Sequence, residues 1–196
     1  MSIKDGKLLY HITALSNIES IFKDGLLSRA NLKDDFKDVA EQDIIEFRNT
    51  HKITNLIPFH FFAGTPFAGR VQIDYPDEEF IYITIHRDFA KSDKNDFKIF
   101  PTHPKHMNPL EIYSYEEGFE KIDWELMEKR DYSSYECKEI CMAECVANHS
   151  SVPSKIFHSI IVKSDQTKEY LKKLYYEIFE EDAPFHINVN STYFKK

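Results

Sequence analysis

The sequence predicts an α+β fold, and three observations carry that prediction. Extended, β-branched and aromatic runs recur along the chain, but helical repeats do not alternate with them in the regular strand–helix–strand order of a doubly wound sheet. With five glycines in all, the chain holds neither a G-x-G-x-x-G dinucleotide turn nor a P-loop. Finally, 196 residues with 42% hydrophobic and 14% aromatic content suffice to bury one core without disulfide staples. We therefore expect a single domain spanning residues 1–196.

The elements follow in order. Residues 8–13 read as a strand, and Ser16 with Glu19 three positions on has the form of a helix-capping box. Ile18, Ile21 and Phe22 recur at helical spacing, and Gly25 supplies the stop. A second helix is predicted over residues 39–47, with Arg48 near its end, followed by a dense β-type run at 56–62 that Ala63-Gly64-Thr65-Pro66 turns. In residues 80–86, Ile81, Ile83 and Ile85 alternate with Tyr82, Thr84 and His86, which predicts a strand with one buried face. Residues 100–110 carry Pro101, Pro104 and Pro109 and read as a loop. A short helix at 136–141 leads into a strand at 143–147. A strand at 159–163, an amphipathic helix at 165–180 capped by Asp165, and a terminal strand at 185–189 with Tyr193 and Phe194 complete the chain.

Charge and cysteine content narrow the function. The net charge of −8 speaks against a nucleic-acid partner, since phosphate contact calls for a basic footprint. The excess is local, however. Residues 111–144 hold eleven Asp/Glu against four Lys/Arg, leaving the remainder near neutral and able to carry a basic groove, for which Lys91, Lys94, Lys98 and Lys105 are candidates. Three cysteines, an odd number, suit a reducing cytosol, and no apolar run approaches a membrane span, so a cytoplasmic protein without membrane partners is expected.

No metal site is expected. Cys137, Cys141 and Cys145 are spaced four apart, unlike the usual zinc pairs even with His149 as a fourth ligand, and read as core. His103 and His106 sit in the proline-rich segment, which reads as a flexible surface loop or a loop covering substrate. Glu144 stands out differently: between Met142-Ala143 and Cys145-Val146, an unpartnered carboxylate is costly, which marks it as a functional candidate on local grounds. His11, at the end of a strand, reads on the same local grounds as a satisfied structural residue.

An ordered series of segments adds to this. It runs through Leu9-Tyr10-His11-Ile12-Thr13, Asn17, Gly25-Leu26-Leu27, Asp38-Val39, Arg48 and Ile57-Pro58-Phe59-His60-Phe61. It continues with Ile122-Asp123-Trp124, Met142-Ala143-Glu144, Val152-Pro153 and Ile160-Ile161-Val162, ending at Val189 with Tyr193-Phe194. Taken together the series resembles the DarT DNA ADP-ribosyltransferase toxins. The resemblance implies a split β-sheet core with peripheral helices, NAD as co-substrate in its cleft, single-stranded DNA as acceptor through thymine or guanine, and an antitoxin partner. It also implies roles: His11, Thr13 and Arg48 for NAD binding, Glu144 and Arg48 for catalysis, and His60 and Arg70 in the acceptor region, Arg70 being the competitor of Arg48. Where relatives commonly carry Tyr and then Asn-Pro-Arg, this chain has His60 and Phe62-Ala63-Gly64, which leaves the acceptor open. A NAD hydrolase, a transferase acting on RNA or protein, and a non-catalytic nucleotide-binding module are the alternatives.

Overall fold

The computed structural model describes residues 2–33 and 36–195. Its elements are β1 (Leu8–Ala14), α1 (Ile18–Asp24), β2 (Leu26–Leu27), α2 (Gln42–Thr50), β3 (Ile57–Phe59), α3 (Pro66–Asp74), β4 (Phe80–His86), α4 (Arg87–Lys91) and β5 (Phe97–Phe100). There follow β6 (Tyr113–Ser114), α5 (Tyr115–Lys121), α6 (Trp124–Lys129), α7 (Tyr135–Ile140), β7 (Glu144–Ala147), β8 (Ser151–Val152), β9 (Ser159–Val162), α8 (Asp165–Phe179) and β10 (His186–Val189). The mixed α+β character matches the sequence expectation.

Two four-stranded sheets form the frame, ordered β1-β4-β9-β10 and β3-β7-β5-β6, with a small β2-β8 pair beside them. The large sheets meet along the outer edge of β1, which keeps its register with β4 from Leu8 to Ala14. Tyr10 and His60 exchange backbone hydrogen bonds of 2.8 Å in both directions. That single bridge makes the split sheet, and His11 and His60 lie on either side of it.

β4 is central in its sheet, flanked by β1 and β9. The expectation of one buried face fails for that reason. Ile81, Ile83 and Ile85 enter the main core while Phe80 and Tyr82 enter a second, with Ile12, Val71, Ile161 and Phe194. Thr84, also buried, is satisfied by Ser159 across the strand pair. The main core is closed by α1 and α8, where Phe22 lies edge-on to Tyr175 at 5.1 Å and Phe185 packs on both.

Several boundaries move, each for a local reason. Residues 15–17 form a 3₁₀ turn, so Asn17 rather than Ser16 precedes α1, and no capping-box bond forms. α2 begins at Gln42 instead of residue 39, because Asp38 Oδ1 accepts from the Ala40 N–H in a bend while Val39 fills the second core. The run at 56–62 is regular strand only at Ile57–Phe59. Pro66 opens α3 rather than closing a turn, with Thr65 Oγ1 accepting from the Ala68 N–H as its cap. α8 is capped by Ser164, not Asp165. Gly25 does end α1, with φ of +84°, and a Cβ there would lie 2.9 Å from the Val152 carbonyl of β8.

The acidic stretch folds into α5, α6 and α7, whose caps are Ser114, Asp123 and Ser134. It buttresses the sheet junction through Arg87, whose guanidinium lies 5.2 Å from the Phe61 ring and 5.9 Å from the Trp124 ring. Arg87 donates to the carbonyls of Leu8, Lys4 and Phe61, so a buried cation is satisfied without a carboxylate. The three cysteines are free and buried, as expected of core residues, but they follow α7 into β7 rather than forming one helical stripe. The segment at 100–110 is a loop with a single 3₁₀ turn, as expected, but it is not wholly at the surface. Its His103 is buried, and the His103 N–H donates to the Glu139 carbonyl of α7 at 3.1 Å.

Candidate active site

The register of β3, β7 and β5 assembles the site. Phe59 pairs with Cys145, and Phe100 with Glu144, which sets the next residue of the chain, His60, beside the start of β7. His60 Nδ1 lies 3.1 Å from the Ala143 carbonyl. Since a carbonyl only accepts, Nδ1 carries the proton and Nε2 is left as an acceptor. Burial lowers the His60 pKa, opposed by Glu144 and the Ala143 carbonyl, and the ring is neutral.

Glu144 is buried, and Arg48 from the last turn of α2 covers it, with Nη2 donating to Oε2. Burial pushes the Glu144 carboxyl up. The attraction of Arg48 and of His60, with the Arg48 hydrogen bond and His103, outweighs it and holds the group below the ordinary carboxylate range. Arg48 Nη1 is buried as well and has no partner among the described residues. A buried guanidinium nitrogen facing no acceptor leaves a hydrogen bond for something outside the chain to make.

On the other side of the bridge, His11 Nδ1 sits 2.8 Å from the Pro58 carbonyl, which again fixes the proton on Nδ1 and frees Nε2 to accept. Burial drives its pKa down to about 4, against the pull of the Pro58 carbonyl, so the ring is neutral at ordinary pH. Thr13 is buried two residues on, its hydroxyl accepting from Asn17 Nδ2 at 3.2 Å. Asn17 also clasps both backbone groups of Lys37, tying β1 to the segment that precedes α2.

His11, Thr13, Arg29, Arg48, His60 and Phe67 line one cleft. Arg29 is the residue sequence reasoning missed. It pairs with Asp38 at the cleft wall, and burial together with Arg48 lowers its pKa to about 10, still a cation. Its only signal was its place just past the Gly25-Leu26-Leu27 segment. Arg70 does not enter this cleft: it is exposed on α3, 2.7 Å from Asp74 and 3.5 Å from Glu41. It lines a second groove with Phe67, Lys105, His106, Tyr135 and Lys138. Phe67 belongs to both, so the groove opens beside the cleft. Of the four lysines considered for a basic channel, Lys105 alone lines the groove; Lys91 and Lys98 face Glu116 and Asp96 elsewhere.

The arrangement is a buried carboxylate under a guanidinium, beside two neutral imidazoles with open acceptor nitrogens. Thermus sp. 2.9 DarT in complex with ADP-ribosylated ssDNA superposes with a TM-score of 0.83 at 17% identity, over 100% of this chain and 99% of that one. The same protein in complex with NAD⁺ gives 0.76 at 16% identity, over 97% and 98%. Thermosipho africanus DarTG in complex with ADP-ribose gives 0.74 at 18% identity, over 96% of this chain and 51% of that one. These likenesses establish the fold. No curated protein sequence matches the chain. The family model for DarT, ssDNA thymidine ADP-ribosyltransferase, matches residues 10–194, and the chain belongs to that family.

Proposed function

We propose that this chain acts as one domain that transfers ADP-ribose from NAD to a thymine base of single-stranded DNA, with Glu144 as the group that stabilises the breaking bond. The observation that carries the reading is the buried Arg48–Glu144 pair at the junction of the two sheets, with Arg48 Nη1 still open to an acceptor. Breaking the bond between ribose C1′ and the nicotinamide nitrogen sends the electron pair to nicotinamide and leaves positive charge on the sugar. Glu144, an ionised carboxylate in a water-poor setting, stabilises that charge through a ribose hydroxyl. His11 Nε2 accepts from the ribose and orients it, with Thr13 beside it. Arg29 and Arg48 supply the cleft with two cations against the phosphate charge of the dinucleotide.

The acceptor nitrogen of the base attacks C1′ and loses its proton. Arg48 Nη1 and the neutral His60 are placed to help, the first by hydrogen-bonding the base as it becomes anionic, the second as a proton acceptor at Nε2. The second groove suits a single strand. Lys138, with Arg70 and Lys105 once they exchange Asp74 and Asp43 for phosphates, meets the backbone beside the groove's own Glu41, Asp43 and Glu139, and the exposed Tyr135 offers a face for stacking. The same reading places the protein in the cytoplasm, as the toxin partner of an antitoxin. Among the described residues no helix is long and apolar enough to cross a membrane.

The test is label transfer from NAD to oligonucleotides that differ only in the presence of thymine. Glu144→Gln should reduce transfer on the order of 10²–10³-fold, the usual cost of one electrostatic contact to a transition state, while NAD still binds. Transfer to thymine-free strands, to protein, or nicotinamide release without an acceptor would each overturn the assignment.

A further inference from the structure

We propose that His103, His106 and Glu139 form a three-ligand site for a divalent first-row ion of the zinc class, which clamps the proline-rich segment onto α7. The His103 and His106 Nδ1 atoms face each other at 3.3 Å. Glu139 Oε2 lies 2.5 Å from His106 Nδ1 and 4.0 Å from His103 Nδ1. The three ligand atoms fall within 4.8 Å of one another. Tetrahedral zinc with bonds of about 2.0–2.1 Å sets ligand atoms roughly 3.3–3.4 Å apart, and a swing of the carboxylate oxygen by about 1.5 Å toward His103 evens the three edges to that spacing.

The site is built from the backbone outward. His103 precedes and His106 ends a one-turn 3₁₀ helix, where the His106 N–H donates to the His103 carbonyl at 3.1 Å and the His103 N–H to the Glu139 carbonyl at the same length. His103 is buried and Glu139 largely so, while the His106 side chain is 43% exposed. That gradient gives an ion an entry path and leaves a fourth position open to water, the arrangement of a three-ligand site. Two imidazoles and one carboxylate are ligands of the intermediate softness that zinc, cobalt and nickel prefer over magnesium or calcium. In the absence of an ion, two ring nitrogens turned toward each other share a single carboxylate, an arrangement in which one Nδ1–H faces two acceptors. The inference revises the sequence expectation, which weighed the two histidines without knowing that Glu139 joins them. It does not depend on the transfer reaction.

The test uses tag-free full-length protein, freed of metal by chelation and dialysis, titrated with Zn²⁺ by calorimetry and with Co²⁺ by visible absorption. One ion per chain is expected, with the visible bands of a tetrahedral Co²⁺ site and a rise in melting temperature on adding Zn²⁺. His106→Ala and Glu139→Gln should each weaken binding by at least the roughly 10–100-fold that losing even an outer-shell partner costs, and abolish the melting shift. His158→Ala, in the separate His86–His158–His186 group, should leave both unchanged. The melting curves of the ion-free variants establish that they fold. Absence of saturable binding, or affinity in both ligand variants within about twofold of wild type, overturns the site.

Discussion

Replacing Arg48 by Met removes the guanidinium from above Glu144 while keeping most of its length. Both partners are 6–7% exposed at the side chain, so water cannot stand in for the lost ion. Breaking a buried pair by removing one partner typically costs about 3–5 kcal/mol, and Arg48→Met should fall in that range at neutral pH. Glu144→Leu, leaving the guanidinium unpaired, should cost a similar amount. The double variant should come out near wild type or above it, because apolar replacement of a whole buried pair is often neutral or stabilising by about 1–4 kcal/mol. Here the unpartnered Arg48 Nη1 also disappears. The sum of the single costs therefore exceeds the cost of the double by several kcal/mol. Urea unfolding followed by circular dichroism reads this directly, with equal m-values as the check on two-state behaviour.

A pH arm sharpens the same experiment. In the wild type the Glu144 carboxyl lies below its unfolded value near 4.5, so its contribution is full above that pH and is lost as pH falls through the lower folded value. In Arg48→Met the carboxyl stays buried without the cation that opposed burial, which raises it above its unfolded value. The penalty then bites at neutral pH and is relieved on acidification, so this variant should gain stability between neutral pH and about 5 where the wild type does not. Single costs below about 1 kcal/mol that simply add, or an Arg48→Met variant with the wild-type pH slope, refute the claim that the two charges are buried against each other.

Three further outcomes follow from the site. His11 should titrate near pH 4 by NMR instead of about 6.5. Since the unfolded chain binds a proton in that interval and the folded chain does not, His11 contributes a loss of stability as pH falls from 6.5 toward 4; an NMR midpoint above about 6 would contradict the buried neutral ring. Gly25→Ala should destabilise by about 1–3 kcal/mol in urea, from its positive φ and the contact with the Val152 carbonyl, and a change within about 0.5 kcal/mol would show that neither constrains the turn. Arg70→Ala should leave the melting temperature almost unchanged, because the side chain is 61% exposed. It should reduce the salt slope of single-stranded oligonucleotide binding by about 0.7, and an unaltered slope would remove Arg70 from the DNA path.

Legibility in the sequence divided by distance and by length. Strands β1, β4 and β9 show themselves because their apolar runs satisfy local rules, and Glu144 because a carboxylate among apolar neighbours contradicts them. What answers Glu144 is 96 residues away, and no local rule singles out Arg48 among the charges of α2. Helices α5 and α6 span only seven and six residues, fewer than two turns each, so no period develops even though Ser114 and Asp123 cap them, whereas α7 lies within one residue of the helix expected at 136–141. α3 was masked by Ala63-Gly64-Thr65-Pro66, which reads as a turn when Thr65-Pro66 is in fact a helix start. His103 looked exposed because prolines surround it; its burial comes from a backbone bond to Glu139, a contact that only the tertiary fold supplies.

The junction at Tyr10 and His60 has a spectroscopic use. Their two amides donate to each other's carbonyls across the gap between the sheets, so neither can exchange with solvent deuterium unless the sheets part. Residues on both flanks, His11 and Glu144 with its cover Arg48, move with those sheets. The exchange rates of these two amides, measured against those of β4 as an internal standard of global unfolding, therefore gauge how often the cleft opens.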